Sequence, residues 1–160
     1  MSKDRHPVTN AVRMLRDHNV AFTHHPYEYE DRGGTAVSAR ELGVAEHAVI
    51  KTLVMEDDAK RPFVMLMHGD REVSAKNLAR LLGVKSIAPC APTVADRHSG
   101  YQVGGTSPFG TRKTRPVYLQ ATIAALPYVY INGGHRGYLV GMKPVDLERV
   151  LRPIRVDAMA

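Results

Sequence analysis

The sequence predicts an α+β fold in which short helices surround a mixed, barrel-like sheet. Helix signals are concentrated in the first half of the chain, strand signals dominate the second half, and no regular βαβ alternation appears. The chain has 160 residues, of which 44% are hydrophobic and 24% are charged, as in an ordinary globular protein. This length is enough for one core and too short for two, so we expect a single domain spanning residues 1–160.

The first predicted elements are two short helices with an extended segment between them. Thr9 can cap a helix whose apolar residues recur at three- and four-residue spacing. Residues 21–29 are rich in aromatic side chains and predict a strand, which Pro26 confines to an edge or an irregular position. Thr35 predicts the cap of the second helix, and Gly43 predicts its left-handed end.

A β-hairpin and a third helix follow. Residues 49–55 and 62–68 are apolar and rich in strand-forming residues, and the polar residues 57–60 between them predict the turn. Ser74 can then cap a helix with leucines on its inner face, which Gly83 would end.

Beyond Gly83 the pattern changes to short extended pieces separated by glycine and proline. The predicted extended pieces are residues 85–87, 101–103, 117–119, 128–132 and 138–142. A last helix is predicted from about Val145 to Leu151.

Charge and cysteine content limit the class of protein. The chain carries 22 Lys and Arg against 16 Asp and Glu, a net charge of +6, which suits a polyanionic partner. Cys90 is the single cysteine, so no intramolecular disulfide can form, and a cytoplasmic location is expected. The first six residues lack the apolar run of an export signal, and no apolar run is long enough for a membrane span.

Lys51 is the first candidate for chemistry, because it interrupts an otherwise apolar predicted strand. It shares one face with Val49 and Leu53. Two interpretations remain open: an exposed lysine on a half-solvated strand, or a cation in a pocket that binds a phosphate or polarises a carbonyl.

Two glycine-rich segments are the second candidate. In residues 100–110 and 132–137, backbone amides can approach an anion or a developing oxyanion closely. Ordinary tight connections are the alternative, with Gly133-Gly134 as a hairpin turn. Arg112, Lys113 and Arg115 follow the first segment, either as phosphate contacts or as a solvated face.

Other kinds of site are disfavoured. The chain has eight histidines but no metal-binding spacing, so we expect no metal and no cofactor. Ser107 lacks the surrounding motif of a serine nucleophile, and Cys90 is interpreted as inert packing.

Taken together, these motifs resemble the YbaK/EbsC family, the Cys-tRNA(Pro) deacylases related to the editing domain of prolyl-tRNA synthetase. The resemblance runs from Thr9 to about Leu151. It depends on the order and spacing of residues 11–15, 25–28, 50–53, 100–110 and 132–137.

The resemblance implies the fold, the reaction and the partners. It implies a trans-editing deacylase that hydrolyses mischarged tRNA(Pro), with Cys-tRNA(Pro) as the expected substrate. In members that remove cysteine, the resemblance implies that the substrate's own thiol attacks the ester carbonyl. Aminoacyl-tRNA is the implied partner, prolyl-tRNA synthetase is a further one, and no membrane or DNA is expected. The implied catalytic residues are Lys51 and Tyr27. The implied substrate-binding residues are Gly104, Gly105, Thr106, Ser107, Pro108, Phe109, Gly110, Gly133, Gly134, His135, Arg136 and Gly137.

The chain departs from the family pattern at Leu139. Cysteine-specific members carry an aspartate shortly after the second glycine segment, where this chain reads Gly137-Tyr138-Leu139-Val140. Alternatives therefore stay open: a deacylase for another small amino acid such as alanine, or a non-catalytic module that binds the aminoacyl end of tRNA. A general nucleic-acid binder ranks last, because it would need a clustered cationic stripe with interleaved aromatic residues.

Overall fold

The computed structural model describes residues 6–160 of the chain. Residues 1–5 lie outside the described part, so the expectation that the N-terminal segment is no export signal falls almost entirely beyond it. Within residues 6–160, no helix is both long and apolar enough to cross a membrane.

Helices and strands alternate irregularly along the described chain. The α-helices are α1 (Asn10–Asp17), α2 (Gly34–Leu42), α3 (Ala75–Leu82), α4 (Pro92–Ser99) and α5 (Pro144–Leu151). The strands are β1 (Thr23–Pro26), β2 (Val49–Asp57), β3 (Pro62–His68), β4 (Ile87–Pro89), β5 (Val117–Gln120), β6 (Val129–His135), β7 (Tyr138–Met142) and β8 (Ile154–Val156). Short 3₁₀ turns at Glu46–Ala48 and Ala121–Ala125 lead into β2 and out of β5.

The strands form one mixed sheet, as the sequence predicts. Its order is β1-β7-β6-β2-β3-β5-β8, and β4 pairs with the far end of β2. The hairpin pairs β2–β3 and β6–β7 are antiparallel, whereas β2–β6, β3–β5 and β5–β8 are parallel. β2 therefore lies at the centre, next to β3, β4 and β6.

Helices cover both faces of this sheet. On β3, Val64 and Leu66 pack into a cluster with residues of α1 and α5. The alternate residues Phe63, Met65 and Met67 pack into a second cluster with residues of α3. Because both faces are covered, the β3 sequence is almost uninterruptedly apolar rather than alternating.

Local capping signals are confirmed at two helices and wrong at a third. The Thr9 and Ser74 hydroxyls accept the N–H of Val12 at 3.0 Å and of Asn77 at 3.2 Å. Helix α2 begins at Gly34 without a side-chain cap, so Thr35 is not its cap. The Thr35 hydroxyl instead hydrogen-bonds Glu46 Oε2 at 2.8 Å and the Gly69 carbonyl at 3.1 Å, which ties α2 to the chain around β3.

The second half of the chain departs further from the sequence prediction. Helix α4 and strand β8 were not predicted, and the expected extended piece at residues 101–103 is a loop. Gly133-Gly134 is not the hairpin turn. Both glycines lie in β6 at an irregularity between Asn132 and His135, and the turn is formed by Arg136 and Gly137.

Candidate functional site

A groove of about 460 Å³ runs along the central strand β2. The seven consecutive residues 49–55 of β2 line it. The rest of its wall comes from the end of β1, from α2 and α4, from the first glycine segment and from β6 and β7. These contributors include Tyr27, Tyr29, Val37, Ser38, Cys90, Ala95, Gly104, Thr106, Asn132 and Leu139. Five stretches of the chain therefore share one concave surface, namely residues 27–38, 49–55, 89–95, 103–106 and 132–139.

Lys51 lies in this groove, with its side chain only 20% exposed. Its Nζ donates to Glu72 Oε2 at 3.1 Å, and Glu72 itself is 83% exposed. Successive side chains of β2 alternate between its two faces, so Lys51 lies on the face of Val49 and Leu53. Glu72 reaches Lys51 from the loop that follows β3. Of the two interpretations of Lys51, the pocket position is the one found, with a solvent-facing carboxylate as its partner.

Tyr27 and Leu139 form the wall near the end of β1. Both pack in one apolar cluster with Ala39 and Val49, and Leu139 is 4% exposed. Burial raises the pKa of the Tyr27 phenol above its ordinary value, so this group stays protonated at neutral pH and can donate a hydrogen bond. Leu139 sits opposite His25 of β1 and Asn132 of β6 in the sheet. The wall is apolar at this position.

The two glycine segments contact each other directly. Asn132 Nδ2 donates to the Gly104 carbonyl at 3.1 Å, and Arg136 Nε donates to the Val103 carbonyl at 2.9 Å. A Cβ at Gly105 would lie 2.8 Å from the backbone nitrogen of Arg136, so a side chain there would separate the segments. The prediction that the segments lie at the same end of the sheet is consistent with these contacts.

Gly104 is the glycine of the first segment that faces the groove. Its φ is +88°, and a Cβ would lie 2.5 Å from the Tyr29 hydroxyl. The Tyr29 ring in turn lies under the Arg136 guanidinium, 5.2 Å from its centroid. The loop is therefore packed against Tyr29 and Arg136 as a unit.

The remaining predicted binding residues occupy different environments. Gly104 and Thr106 line the groove. Ser107, Pro108 and Phe109 are buried, and the Ser107 hydroxyl accepts the Phe109 N–H at 3.2 Å. Gly110 packs against the backbone of Asn10 at the start of α1.

A smaller cavity of about 240 Å³ lies behind the first loop. Its lining residues include Gly105, Gly134, His135 and Arg136. Gly133 packs against Tyr138, and Gly137 against the Tyr27 carbonyl.

Backbone amides are available at the loop. The Gly105 N–H is occupied, because it donates to the Gln102 carbonyl at 2.8 Å. Within residues 6–160, the N–H groups of Gly104 and Thr106 donate to no protein acceptor. Gly104 and Thr106 line the groove, where unused N–H groups could meet an anionic oxygen.

Cys90 also lines the groove, which the sequence did not indicate. The thiol hydrogen-bonds Glu56 Oε1 at 3.5 Å, and burial together with this carboxylate raises its pKa to about 11. A thiol with such a pKa carries almost no thiolate at neutral pH and is a poor nucleophile. No histidine is present among the groove-lining residues of the described chain. The groove thus lacks a Cys–His or Ser–His pair.

Sequence reasoning missed Glu72 and Tyr29 as parts of the site, and it included Asn132 in the second glycine segment without giving it a role. Asn132 also accepts the Gly134 N–H at 2.6 Å through its Oδ1. An asparagine directly before Gly-Gly signals such local bonding. Glu72 and Tyr29 carry no signal of this kind, because only the fold brings them to Lys51 and Gly104.

Comparison with known proteins gives the chain a family context. A family model described as the aminoacyl-tRNA editing domain matches residues 31–150. EbsC of Enterococcus faecalis, named as a candidate Cys-tRNA(Pro)/Cys-tRNA(Cys) deacylase, is 29% identical over 137 residues, which are 85% of this chain and 84% of EbsC. The proline–tRNA ligase of Nitratidesulfovibrio vulgaris strain DP4 is 29% identical over 105 residues, which are 66% of this chain but 17% of the ligase.

A solved structure shares the fold. The crystal structure of a candidate trans-editing enzyme for prolyl-tRNA synthetase superposes with a TM-score of 0.81 at 19% identity. The superposition covers 96% of this chain and 99% of that one. The mixed sheet with its helices is therefore an architecture shared by the two chains over almost their whole length.

Proposed function

The chain belongs to the aminoacyl-tRNA editing domain family, and from that membership we propose that it is a trans-editing deacylase for mischarged tRNA(Pro). The proposed reaction is hydrolysis of the ester that joins a wrongly attached amino acid to the tRNA, with Cys-tRNA(Pro) as the first substrate to test. The whole chain would act as one editing domain, in the cytoplasm where aminoacyl-tRNA is used. EbsC and the synthetase supply the choice of substrate and of prolyl-tRNA synthetase as a partner.

One observation carries this proposal: Lys51 lines the same groove as Gly104 and Thr106, whose backbone N–H groups have no acceptor within residues 6–160. The carbonyl oxygen of the ester becomes negatively charged as the carbonyl carbon is attacked. A lysine ammonium and backbone N–H groups stabilise such charge, and each well-aimed donor contributes on the order of 10²–10³ in rate. The proposed roles are therefore oxyanion stabilisation at Gly104 and Thr106, and binding of the ester oxygen or the terminal phosphate at Lys51.

The nucleophile would come from outside the protein. The raised pKa of Cys90 and the absence of a histidine among the described lining residues disfavour an enzyme nucleophile. With a cysteinyl substrate, the substrate thiol can attack its own ester carbonyl. An S–C bond then forms, the ester C–O bond breaks, and the thiol proton leaves with the ribose oxygen. The product of this step is a cyclic thioester of cysteine. Water then opens its C–S bond, which gives free cysteine and completes the hydrolysis. The protein would accelerate this step by holding the thiol and carbonyl close together.

Leu139 bears on which amino acid is removed. Its buried apolar side chain offers no charge to the substrate's ammonium group, unlike the aspartate of cysteine-specific relatives. This wall suits a small uncharged side chain, so alanine is the alternative substrate. Alanine has no thiol, and its removal would require attack by water.

The deciding experiment uses Cys-tRNA(Pro) and Ala-tRNA(Pro) with the wild type and Lys51→Ala. We expect release of one amino acid by the wild type and a loss of at least about 100-fold in Lys51→Ala, because the cation near the ester is removed. Lys76→Ala is the matched control, since Lys76 is an exposed lysine on α3 away from the groove. Binding of both tRNAs without turnover would replace the deacylase with a tRNA-binding module, and unchanged activity of Lys51→Ala would remove the lysine from the mechanism.

A further inference from the structure

The positive charge of the chain lies in one stretch of sequence. The 49 residues from 97 to 145 contain six Lys or Arg residues and no Asp or Glu. The rest of the chain then carries 22 − 6 = 16 basic and 16 acidic residues, so the whole net charge of +6 belongs to residues 97–145. An imbalance confined to one stretch indicates a surface for a polyanion rather than a general solubility charge.

The fold gathers four of these six basic residues at the end of α4. Arg97 is in the last turn of α4, and Arg112 donates its backbone N–H to the Ser99 carbonyl at 3.1 Å. Arg115 lies 3.2 Å from His98, measured from Nη2 to the ring Nδ1. Lys113 lies between the two loop arginines in sequence. We call Arg97, Arg112, Lys113 and Arg115 the α4 cation cluster.

The charges of this cluster are not neutralised by the protein. Within residues 6–160, none of its four members forms an ion pair, whereas Lys60, Arg61, Arg149 and Arg155 each have a carboxylate partner. Burial and then the nearby charges of Arg115, Arg97 and Lys113 lower the pKa of His98, and only Glu56 opposes them. Glu56 is itself paired with Lys60 at 3.0 Å.

Arg115 is the most buried member of the cluster. Its Nε is buried and has no hydrogen-bond acceptor within the described chain. Asp96, the nearest acidic residue in sequence, likewise has a buried Oδ1 without a hydrogen-bond partner in the described chain. The contact with His98 and the burial of Nε hold this guanidinium in place. Arginine suits a phosphate, whose oxygens accept several N–H groups at once, although the buried Nε itself is out of reach of a phosphate in solvent.

The cluster flanks the proposed active site. Ala95 of α4 lines the groove, and His98 is three residues further along the same helix face, about 5–6 Å away between Cβ atoms. The loop that carries Gly104 and Thr106 leads to Arg112 and Lys113 through the buried residues 107–109 and through Gly110. An RNA strand whose 3′ end entered the groove would pass close to these basic residues.

We propose that the α4 cation cluster binds the sugar–phosphate backbone of the RNA whose aminoacylated 3′ end enters the groove. This inference rests on the proposed function, because it needs an RNA substrate with its 3′ end at Lys51. Phosphate contacts fix the register of a nucleic acid on a protein without reading its sequence. The cluster would therefore set how deeply the 3′ end enters, while the groove selects the amino acid.

The test measures binding of an uncharged tRNA(Pro) transcript by fluorescence anisotropy between 50 and 200 mM KCl. Arg97→Gln with Lys113→Gln removes two exposed charges of the cluster, and Lys76→Gln with Arg80→Gln is the matched control on α3. We expect the cluster variant to bind about tenfold more weakly at 50 mM KCl and its salt slope to fall by about 1–2. The rate of deacylation of aminoacylated tRNA(Pro), measured at a protein concentration too low to saturate binding, should also fall about tenfold. The control should match the wild type in both measurements.

Either proposal can fail without the other. A wild type that deacylates, together with two double variants that bind tRNA alike, overturns the cluster and leaves the deacylase standing. A wild type that binds through the cluster but releases no amino acid overturns the deacylase alone. Absence of tRNA binding by the wild type overturns the cluster. Thermal melting of both variants checks that the loss of charge has not unfolded the chain.

Discussion

The structure gives Cys90 a second role that its sequence context did not indicate. Its sequence context suggested inert packing, and it is indeed 8% exposed, but it also forms part of the groove wall. Burial and the Glu56 carboxylate both oppose its ionisation. Cys90 therefore helps to shape the groove wall, and its thiol has very little nucleophilic reactivity at neutral pH.

This thiol should react slowly with iodoacetamide. Raising the pKa from 9.0 to about 11 lowers the thiolate fraction, and we expect alkylation at pH 7.5 about 100-fold slower than in the urea-unfolded chain. Glu56→Gln should speed the reaction, because it removes the charge that opposes the thiolate. Mass spectrometry of timed samples measures both rates. Equal rates in folded and unfolded protein would contradict the assigned environment.

At the scale of elements, the first glycine loop acts as a packed part of the site. Gly104 combines a left-handed backbone with close approach of Tyr29, whereas Gly83 at the end of α3 has a φ of +72° and open space around it. The two glycines therefore separate two effects of a side chain: backbone strain alone, and strain with a steric clash.

Substitution by alanine should distinguish the two positions. Gly83→Ala should cost about 1–2 kcal/mol of unfolding free energy, from the left-handed backbone alone. Gly104→Ala should cost more and should also reduce deacylation, because Tyr29 and Arg136 must shift. Urea unfolding and the amino-acid release assay measure the two effects.

A second substitution tests the cause assigned to Gly104. Adding Tyr29→Ala to Gly104→Ala removes the clash, so the double variant should lose less stability than the sum of the two single variants. Additive losses would show that Tyr29 does not contact the new side chain.

At the scale of the whole molecule, a buried histidine couples distant parts of the sheet. His68 ends β3 and is fully buried. Its Nδ1 donates to the His47 carbonyl at 2.7 Å, so its Nε2 accepts the Thr122 hydroxyl at 2.7 Å in the neutral ring. The His47 ring stacks on it at 3.7 Å and is paired with Asp70. Both 3₁₀ turns are thereby joined to β3.

Stability should decrease as the pH falls below neutrality. Burial, and then the charge of His47, lower the pKa of His68 below its ordinary 6.5, although the His47 carbonyl and Asp70 oppose the shift. The unfolded chain therefore binds a proton near pH 6.5 that the folded chain does not. The stabilisation is complete above that pH and is lost as the pH falls towards the folded pKa. Urea unfolding between pH 7.5 and about 5 measures it.

His68→Gln provides the comparison, because His25 and His98 also have lowered pKa values. The variant should lose about 1–3 kcal/mol at pH 7.5 through weakened buried hydrogen bonds. Its stability should then change less with pH than that of the wild type. Parallel pH profiles for the two proteins would assign the effect to the other histidines.

Local sequence determined the central hairpin, two capped helices and the position of Lys51. These features depend on neighbours within a few residues: the apolar runs of β2 and β3, and the hydroxyls of Thr9 and Ser74. Helix α4 was missed because Pro92–Ser99 is mostly polar and buries only Ala95 and Ser99, which gives no helical apolar pattern. The order of the motifs, rather than any one of them, pointed to the family.

The tertiary structure decided which residues meet. Glu72 lies 21 residues from Lys51, Gly104 lies 28 residues from Asn132, and Arg115 lies 17 residues from His98. Each contact depends on strand order and loop path, which no local pattern encodes. The sequence thus determined the chemistry the chain carries, whereas packing of the sheet decided that Lys51 and the glycine loop share a groove beside the α4 cation cluster.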